Sequence, residues 1–80
     1  MAFFLLHHRH APHECAAAFA AWQGFESPLR PGRVQSSCLA GGHDLWWRVE
    51  AADRSQALGF LPRFVAERTN PIQIREVDLP

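Results

Sequence analysis

Residues 3–13 have the sequence FFLLHHRHAPH, in which an apolar run changes within one residue into four histidines and an arginine. The apolar half places large side chains on both faces of an extended chain, which is typical of a central strand covered on both sides. Pro12 limits the alternative, a buried helical segment, to a few residues. We therefore predict a central β-strand from Ala2 to about Arg9.

A helix is predicted directly after this strand. Pro12 suits its first position. The alanine-rich segment that follows has the highest helix propensity in the chain, and Cys15, Phe19 and Trp22 share one apolar stripe of it. Gly24 is predicted to cap its C-terminus.

The next segment predicts a loop and a hairpin. Residues 25–32 are rich in proline and glycine, which favours a loop. Residues 33–40 alternate loosely and have the polar content of an edge strand. The turn at 41–44 then joins this strand to a strong strand at 45–50.

The C-terminal third predicts a second helix and a last strand. Asp53 is a candidate N-cap, and Pro62 should kink or split the helix that follows. A strand at 72–77 completes the order βαββαβ, which defines the α+β, ferredoxin-like arrangement of two helices on one face of a four-stranded antiparallel sheet. We predict one such domain over residues 1–80.

This arrangement leaves one sheet face bare. We expect Phe4, Leu6 and His8 to lie on that face with Trp46, while Trp47 faces the helices; a register slip of one residue would exchange the two sets. A small chain with 48% apolar residues gains stability by covering such a face. A homodimer through the sheet is therefore predicted.

Charge and cysteine content narrow the classes of function. Arginine supplies all eight cationic side chains, which balance eight carboxylates, so neither a nucleic-acid partner nor a membrane-surface partner is expected. No apolar run approaches the length of about 20 residues that a membrane span needs. Cys15 and Cys38, without an export signal, favour free thiols in the cytoplasm, although a disulfide between them stays open.

The element order and the bare aromatic face resemble those of the small dimeric α+β-barrel proteins of bacteria. That superfamily includes muconolactone isomerase-like and antibiotic-biosynthesis monooxygenase-like members. The resemblance covers the whole chain and rests on element order. It implies dimerisation through the sheets and a ligand pocket between sheet and helices, but it assigns no catalytic residue here.

The end of strand one is the predicted ligand site. His8 and His10 could bind a small ligand there with Trp46 and Arg48, and no motif indicates a cofactor. In an isomerase- or monooxygenase-like enzyme without cofactor, His8 would be the acid or base and Arg48 would hold an anion. The alternative is that His8 is a core histidine whose ring nitrogens are hydrogen-bonded to backbone groups, and that Arg48 is exposed to solvent.

A transition-metal site is the other hypothesis for this segment. His8 and His10 share a strand face about 6–7 Å apart, and His13 or Cys15 could complete a ligand set. The sequence lacks HxxxH and CxxC patterns, so these residues could also be polar groups at an exposed strand end. Cys15 alone, in the first turn of a helix, is either a reactive thiol or a small buried side chain.

Overall fold

The computed structural model describes all 80 residues and contains four strands and three short helices. They are β1 (Ala2–Arg9), α1 (Cys15–Ala20), β2 (Gln35–Ser36), β3 (Asp44–Ala51), α2 (Arg54–Leu58), α3 (Arg63–Ala66) and β4 (Thr69–Ile74). Two 3-10 turns, at Pro12–Glu14 and Cys38–Ala40, complete the elements. The predicted α+β class is confirmed. No helix has the combined length and apolar character of a membrane-spanning segment.

The strands form one antiparallel sheet in the order β2-β3-β1-β4. β1 pairs along its whole length with β3 and along most of it with β4, so it is the central strand that its sequence predicted. Leu6, for example, lies between Trp47 on β3 and Pro71 on β4. Directly opposed residues of an antiparallel pair share a face, so this register decides which side chains are covered.

The covered face carries the core. Phe4 and Leu6 of β1 are 2% and 0% exposed, and they pack with Trp47 and Val49 of β3. Val65 of α3 closes the core from the helix side and is fully buried. Full burial of one such side chain contributes about 1.5–3 kcal/mol, so this face supplies most of the hydrophobic stabilisation.

The predicted assignment of β1 to the bare face is wrong. Phe4, Leu6 and His8 all lie on the covered face, together with Trp47, whereas Trp46 lies on the opposite face. The reason is the register, in which His8 opposes Leu45 and His7 opposes Trp46.

The open face is nevertheless partly apolar. Phe3 and Ile72 are 36% and 40% exposed there. His7 stacks on Trp46 with ring centroids 5.3 Å apart, and the Arg48 guanidinium lies 4.1 Å from the centroid of the Phe3 ring. Polar and cationic groups therefore shield some of the aromatic surface.

The first helical segment is shorter than predicted. A 3-10 turn begins at Pro12, as expected for proline at a first helical position, and α1 then ends at Ala20. Gly24 does not cap α1 directly; it has φ +73° at the end of the turn that follows. The conformational freedom of glycine thus serves this turn.

The edge strand β2 spans Gln35–Ser36 and not residues 33–40. The backbone N–H of Ser37 donates to the Asp44 carbonyl, and the Asp44 N–H donates to Ser37 Oγ. These bonds divert the chain into the 3-10 turn at Cys38–Ala40, which ends at Gly41 with φ +88°. The polar side chains that suggested an edge strand close this turn instead.

The second helix is split at Pro62, as predicted, into α2 and α3. Asp53 is its N-cap, because its Oδ1 accepts from the Gln56 N–H at 2.8 Å. The last strand is Thr69–Ile74, earlier than the predicted 72–77. Pro71 fits inside it because β4 is an edge strand that pairs on one side only.

Candidate metal centre

The histidines of residues 7–13 separate into different environments. His7 lies on the open face, where its Nε2 is 2.9 Å from Asp44 Oδ1. His8 is fully buried on the covered face, and His10, just beyond the end of β1, is 3% exposed. His13 is exposed. Of these four histidines, only His8 and His10 are therefore in contact with each other.

The structure does not bring His8 together with Trp46 or Arg48, because these two side chains point from the other face of the sheet. His8 also has both ring nitrogens engaged in hydrogen bonds. The predicted arrangement, in which His8 is the acid or base and Arg48 holds an anion beside it, is thus not assembled.

A chain of hydrogen bonds sets the tautomer of both buried histidines. The Val65 carbonyl can only accept, so His8 Nδ1–H donates to it at 3.2 Å and also faces Thr69 Oγ1 at 3.3 Å. Neutral His8 then carries a lone pair on Nε2, which accepts from His10 Nδ1–H at 2.9 Å. By the same logic, neutral His10 has its remaining lone pair on Nε2.

His8 is held neutral at physiological pH. Burial, which disfavours the imidazolium, lowers its pKa below the ordinary value of 6.5, against the opposing hydrogen bond to Val65. The nearby His10 and the Arg68 guanidinium lower this pKa further. A neutral His8 is the state that can accept from His10.

The lone pair of His10 Nε2 has no partner. This nitrogen is buried, and no hydrogen-bond donor reaches it. A buried polar atom without a partner costs about 1–3 kcal/mol, so such atoms are rare in folded proteins and indicate an additional binding partner.

The surroundings of His10 supply two further metal-binding groups, Cys15 and His43. One donor atom from each of the three residues lies within 4.8 Å of the other two. Cys15 Sγ is 3.3 Å from His43 Nδ1, and the rings of His10 and His43 meet edge to face with centroids 5.5 Å apart. We name these three residues the His–Cys–His cluster.

Three different elements position the cluster. The His10 N–H donates to the His43 carbonyl at 3.2 Å, which continues the β1–β3 ladder beyond its last pair. Cys15 begins α1, and the preceding Glu14 fixes that turn by accepting from the Ala11 N–H at 2.9 Å.

A second contact of Glu14 ties the cluster to the far side of the domain. Its carboxylate lies 2.8 Å from Nη2 of Arg68, in the segment between α3 and β4. The hydrogen bond from Arg68 holds the pKa of Glu14 below its ordinary value of 4.5. The carboxylate therefore stays ionised and keeps the start of α1 in place at neutral pH.

The separations within the cluster suit a tetrahedral ion. Zinc bonds of about 2.3 Å to sulfur and 2.0–2.1 Å to nitrogen place donor atoms about 3.3–3.6 Å apart. The Cys15–His43 contact already has this length. The other separations are at most 4.8 Å, so small side-chain rotations would bring the three donor atoms to zinc-binding distances.

His43 was not among the residues selected from the sequence. It lies in the Gly-Gly-His-Asp turn, whose glycines predicted a hairpin and gave no indication of a ligand site. One signal could have found it: antiparallel pairing of β1 with β3 places the residue before β3 beside the residue after β1, and these are His43 and His10.

An apolar cavity of about 320 Å³ lies away from the predicted ligand site. It is lined by Trp22 of the turn after α1 and by Trp47 of β3, and not by His8, His10 or Trp46. Arg48 lines a different pocket, of about 460 Å³, near Met1 at the opposite end of β1. The predicted ligand set of His8, His10, Trp46 and Arg48 therefore does not share one pocket.

Comparison with known proteins adds no assignment. The sequence matches no protein-family model, and neither the curated proteins nor the solved structures give a match. The geometry of the His–Cys–His cluster is thus the main guide to function.

Proposed function

We propose that this protein binds a divalent transition metal of the zinc class through His10 Nε2, Cys15 Sγ and one ring nitrogen of His43. The observation that carries the proposal is the buried His10 Nε2, which has a lone pair but no partner, in a ring that lies beside a thiol and a second imidazole. A metal ion satisfies all three groups at once.

The donor set selects the metal. One thiolate and two neutral imidazoles are ligands of intermediate softness, which favours Zn²⁺ over Mg²⁺ or Ca²⁺. Three protein ligands leave the fourth tetrahedral position for water or an exogenous ligand, as in zinc sites that exchange ligands. The site therefore suits a binding or catalytic role better than a purely structural one.

His8 acts as the positioning residue of this site. Metal-binding histidines usually donate their second N–H to an acceptor, which fixes the ring orientation and raises ligand basicity. His8 Nε2 is that acceptor for His10. The hydrogen bonds of His8 to Val65 and Thr69 in turn fix His8.

Titration of the reduced, metal-free protein with Zn²⁺ tests the proposal. We expect one equivalent to bind, and replacement of Cys15 by serine or His43 by alanine to abolish stoichiometric binding. Cys38→Ser and His13→Ala are the matched controls, because both residues lie outside the cluster. Binding that survives loss of Cys15 and His43, or that the control variants remove, would refute the assignment.

Co²⁺ provides a second readout that depends on geometry. A thiolate ligand gives a near-ultraviolet charge-transfer band, and tetrahedral coordination gives intense visible bands. Both should appear in the wild-type protein and in Cys38→Ser, and the charge-transfer band should vanish in Cys15→Ser. Weak octahedral bands alone would contradict the proposed coordination.

A second candidate function is thiol chemistry, favoured by the 3.3 Å contact between Cys15 Sγ and His43 Nδ1. A thiol and a base within hydrogen-bond reach form the minimal nucleophilic pair. Iodoacetamide should then alkylate Cys15 faster than the half-buried Cys38, and His43→Ala should remove the difference. Equal rates at the two cysteines would exclude this role, and protection of Cys15 by zinc would favour the metal site.

We further infer a ferredoxin-like fold and kinship with the small dimeric α+β-barrel proteins. The strand order β2-β3-β1-β4, with β1 inside and its connections crossing the covered face, supports this inference. A free thiol persists most readily in a reducing compartment, which supports a cytoplasmic location.

The open sheet face supports a homodimer. Phe3 and Ile72 are exposed there, and a second copy would cover them. Ile72→Asp should convert the dimer to a monomer in sedimentation velocity, whereas Val77→Asp, outside the sheet, should not. A wild-type protein that sediments as a monomer at all concentrations would refute this proposal.

A further inference from the structure

A cavity of about 320 Å³ lies between α1, the loop at 29–34 and the outer part of β3. Trp22 and Trp47 form one wall, with ring centroids 5.9 Å apart, and Leu29 and Leu45 extend it. The volume lies at the lower end of the range for small-molecule sites. No residue of the His–Cys–His cluster lines the cavity, so it is a separate site.

The rim of this cavity is cationic. Arg30 and Arg33 are its only charged lining residues, and no carboxylate accompanies them. Arg30 donates from Nη1 to the carbonyl oxygens of Trp22 and Phe25, which holds its guanidinium in place.

Arg33 is free to engage a ligand. It is exposed and takes part in none of the six ion pairs of the chain. The chain as a whole is electrically neutral, so the positive charge at this rim is a local property and not a general excess.

We propose that the cavity binds a small aromatic carboxylate. Its ring would pack against Trp22 and Trp47, since aromatic pairs prefer offset or edge contacts at the distances this wall offers. Its carboxylate would meet the Arg33 guanidinium, whose forked donors match two carboxylate oxygens.

Size and charge exclude larger or more highly charged ligands. A site of this volume accommodates one or two rings and not a folded peptide. A monoanion also loses less hydration energy than a phosphate dianion when it enters an apolar cavity. An uncharged aromatic compound would leave the cationic rim without a partner.

Nuclear magnetic resonance with hydrocinnamate as the probe tests this proposal. The three tryptophans give three indole N–H resonances, which a Trp46→Phe variant assigns in part. The resonances of Trp22 and Trp47 should shift with a Kd of about 1 mM or below. The resonance of Trp46 should not shift, because its ring lies on the open sheet face against His7.

Two comparisons isolate the carboxylate contact. The neutral analogue hydrocinnamamide should bind at least about tenfold more weakly than hydrocinnamate, since it cannot form the charge-assisted pair. Arg33→Gln should weaken hydrocinnamate binding by about tenfold. Arg54→Gln, which removes an exposed and unpaired arginine of α2 outside the cavity, should leave it unchanged.

Three results would overturn the proposal. They are equal affinity for the acid and its amide, unchanged binding by a folded Arg33→Gln protein, and the absence of any selective shift of Trp22 and Trp47. Loss of zinc binding in Cys15→Ser should not affect hydrocinnamate binding. The zinc titration and the hydrocinnamate titration therefore test the metal site and the cavity independently.

Discussion

Replacing His8 with leucine removes the acceptor for His10 Nδ1–H and keeps a buried side chain of similar size. The Val65 carbonyl stays satisfied, because Thr69 Oγ1 at 2.6 Å and the Arg68 N–H at 3.1 Å also donate to it. Only His10 Nδ1–H loses its partner. An unpaired buried donor costs about 1–3 kcal/mol, which the burial of leucine partly offsets. The variant is therefore expected to fold.

The zinc affinity of the folded His8→Leu variant should also fall. Removal of an outer-shell partner of a metal-binding histidine usually costs 10- to 100-fold in affinity, or about 1.4–2.7 kcal/mol. Without His8, the His10 ring can rotate and can move its proton to Nε2, the atom that should bind the metal. His8→Gln places an amide oxygen where it can accept from His10, so it should retain more affinity than His8→Leu.

Competition with a chromophoric chelator at neutral pH measures both affinities, and circular dichroism confirms that each variant is folded. The wild-type protein and His13→Ala provide the reference values. Should a folded His8→Leu protein bind zinc as tightly as the wild type, the hydrogen-bond chain from Val65 would not determine the state of His10. The same affinity for His8→Leu and His8→Gln, both reduced, would indicate a loss of packing and not of the acceptor.

Three further predictions concern stability. Leu6→Ala, at a site with no exposed surface, should lower the free energy of unfolding by about 2–5 kcal/mol in urea denaturation. Asp53→Ala, which removes the N-cap of α2, should lower it by about 0.5–2 kcal/mol in the same assay. The hydrogen bond from His7, with the charge of Arg9, lowers the pKa of Asp44 below its ordinary value of 3.8. Asp44 thus stabilises the fold above that pH, and the stabilisation is lost as the pH falls through the lowered pKa, so Asp44→Asn should reduce the acid dependence of unfolding. Unchanged stability of Leu6→Ala or Asp53→Ala, or an unchanged acid slope for Asp44→Asn, would contradict the corresponding contact.

The sequence predicted the central strand, the antiparallel sheet and the break at Pro62, because each rests on a strong local preference. It could not predict which face of β1 is covered. Phe3–Leu6 is apolar on both faces, so its sequence does not show which face is covered by the helices. The covered face is decided by the pairing of β1 with β3, which involves residues far apart in the sequence. β4 was misplaced because Pro71 suggested a boundary, whereas an edge strand tolerates a residue without an N–H.

The same distinction applies to the site. His10 and Cys15 were candidate ligands from their spacing, and the structure brings them together at one end of the sheet. His43 comes from a turn 28 residues beyond Cys15, and its proximity depends on the register of two strands. Trp46 was predicted to lie beside His8 because both were placed on the same face of the sheet, whereas they lie on opposite faces.

The brevity of β2 has a consequence for the outer border of β3. Only Leu45 and Trp46 are paired with β2, so Trp47–Ala51 has a neighbouring strand on one side only. Backbone amides along this border should exchange with deuterium much faster than those bonded to β1, although they belong to the same strand. Arg48 and Glu50 are exposed on it, and charged side chains discourage another strand from adding there. β3 therefore contributes to the core and also has an unpaired edge. The charged side chains on that edge reduce the risk of aggregation through strand addition.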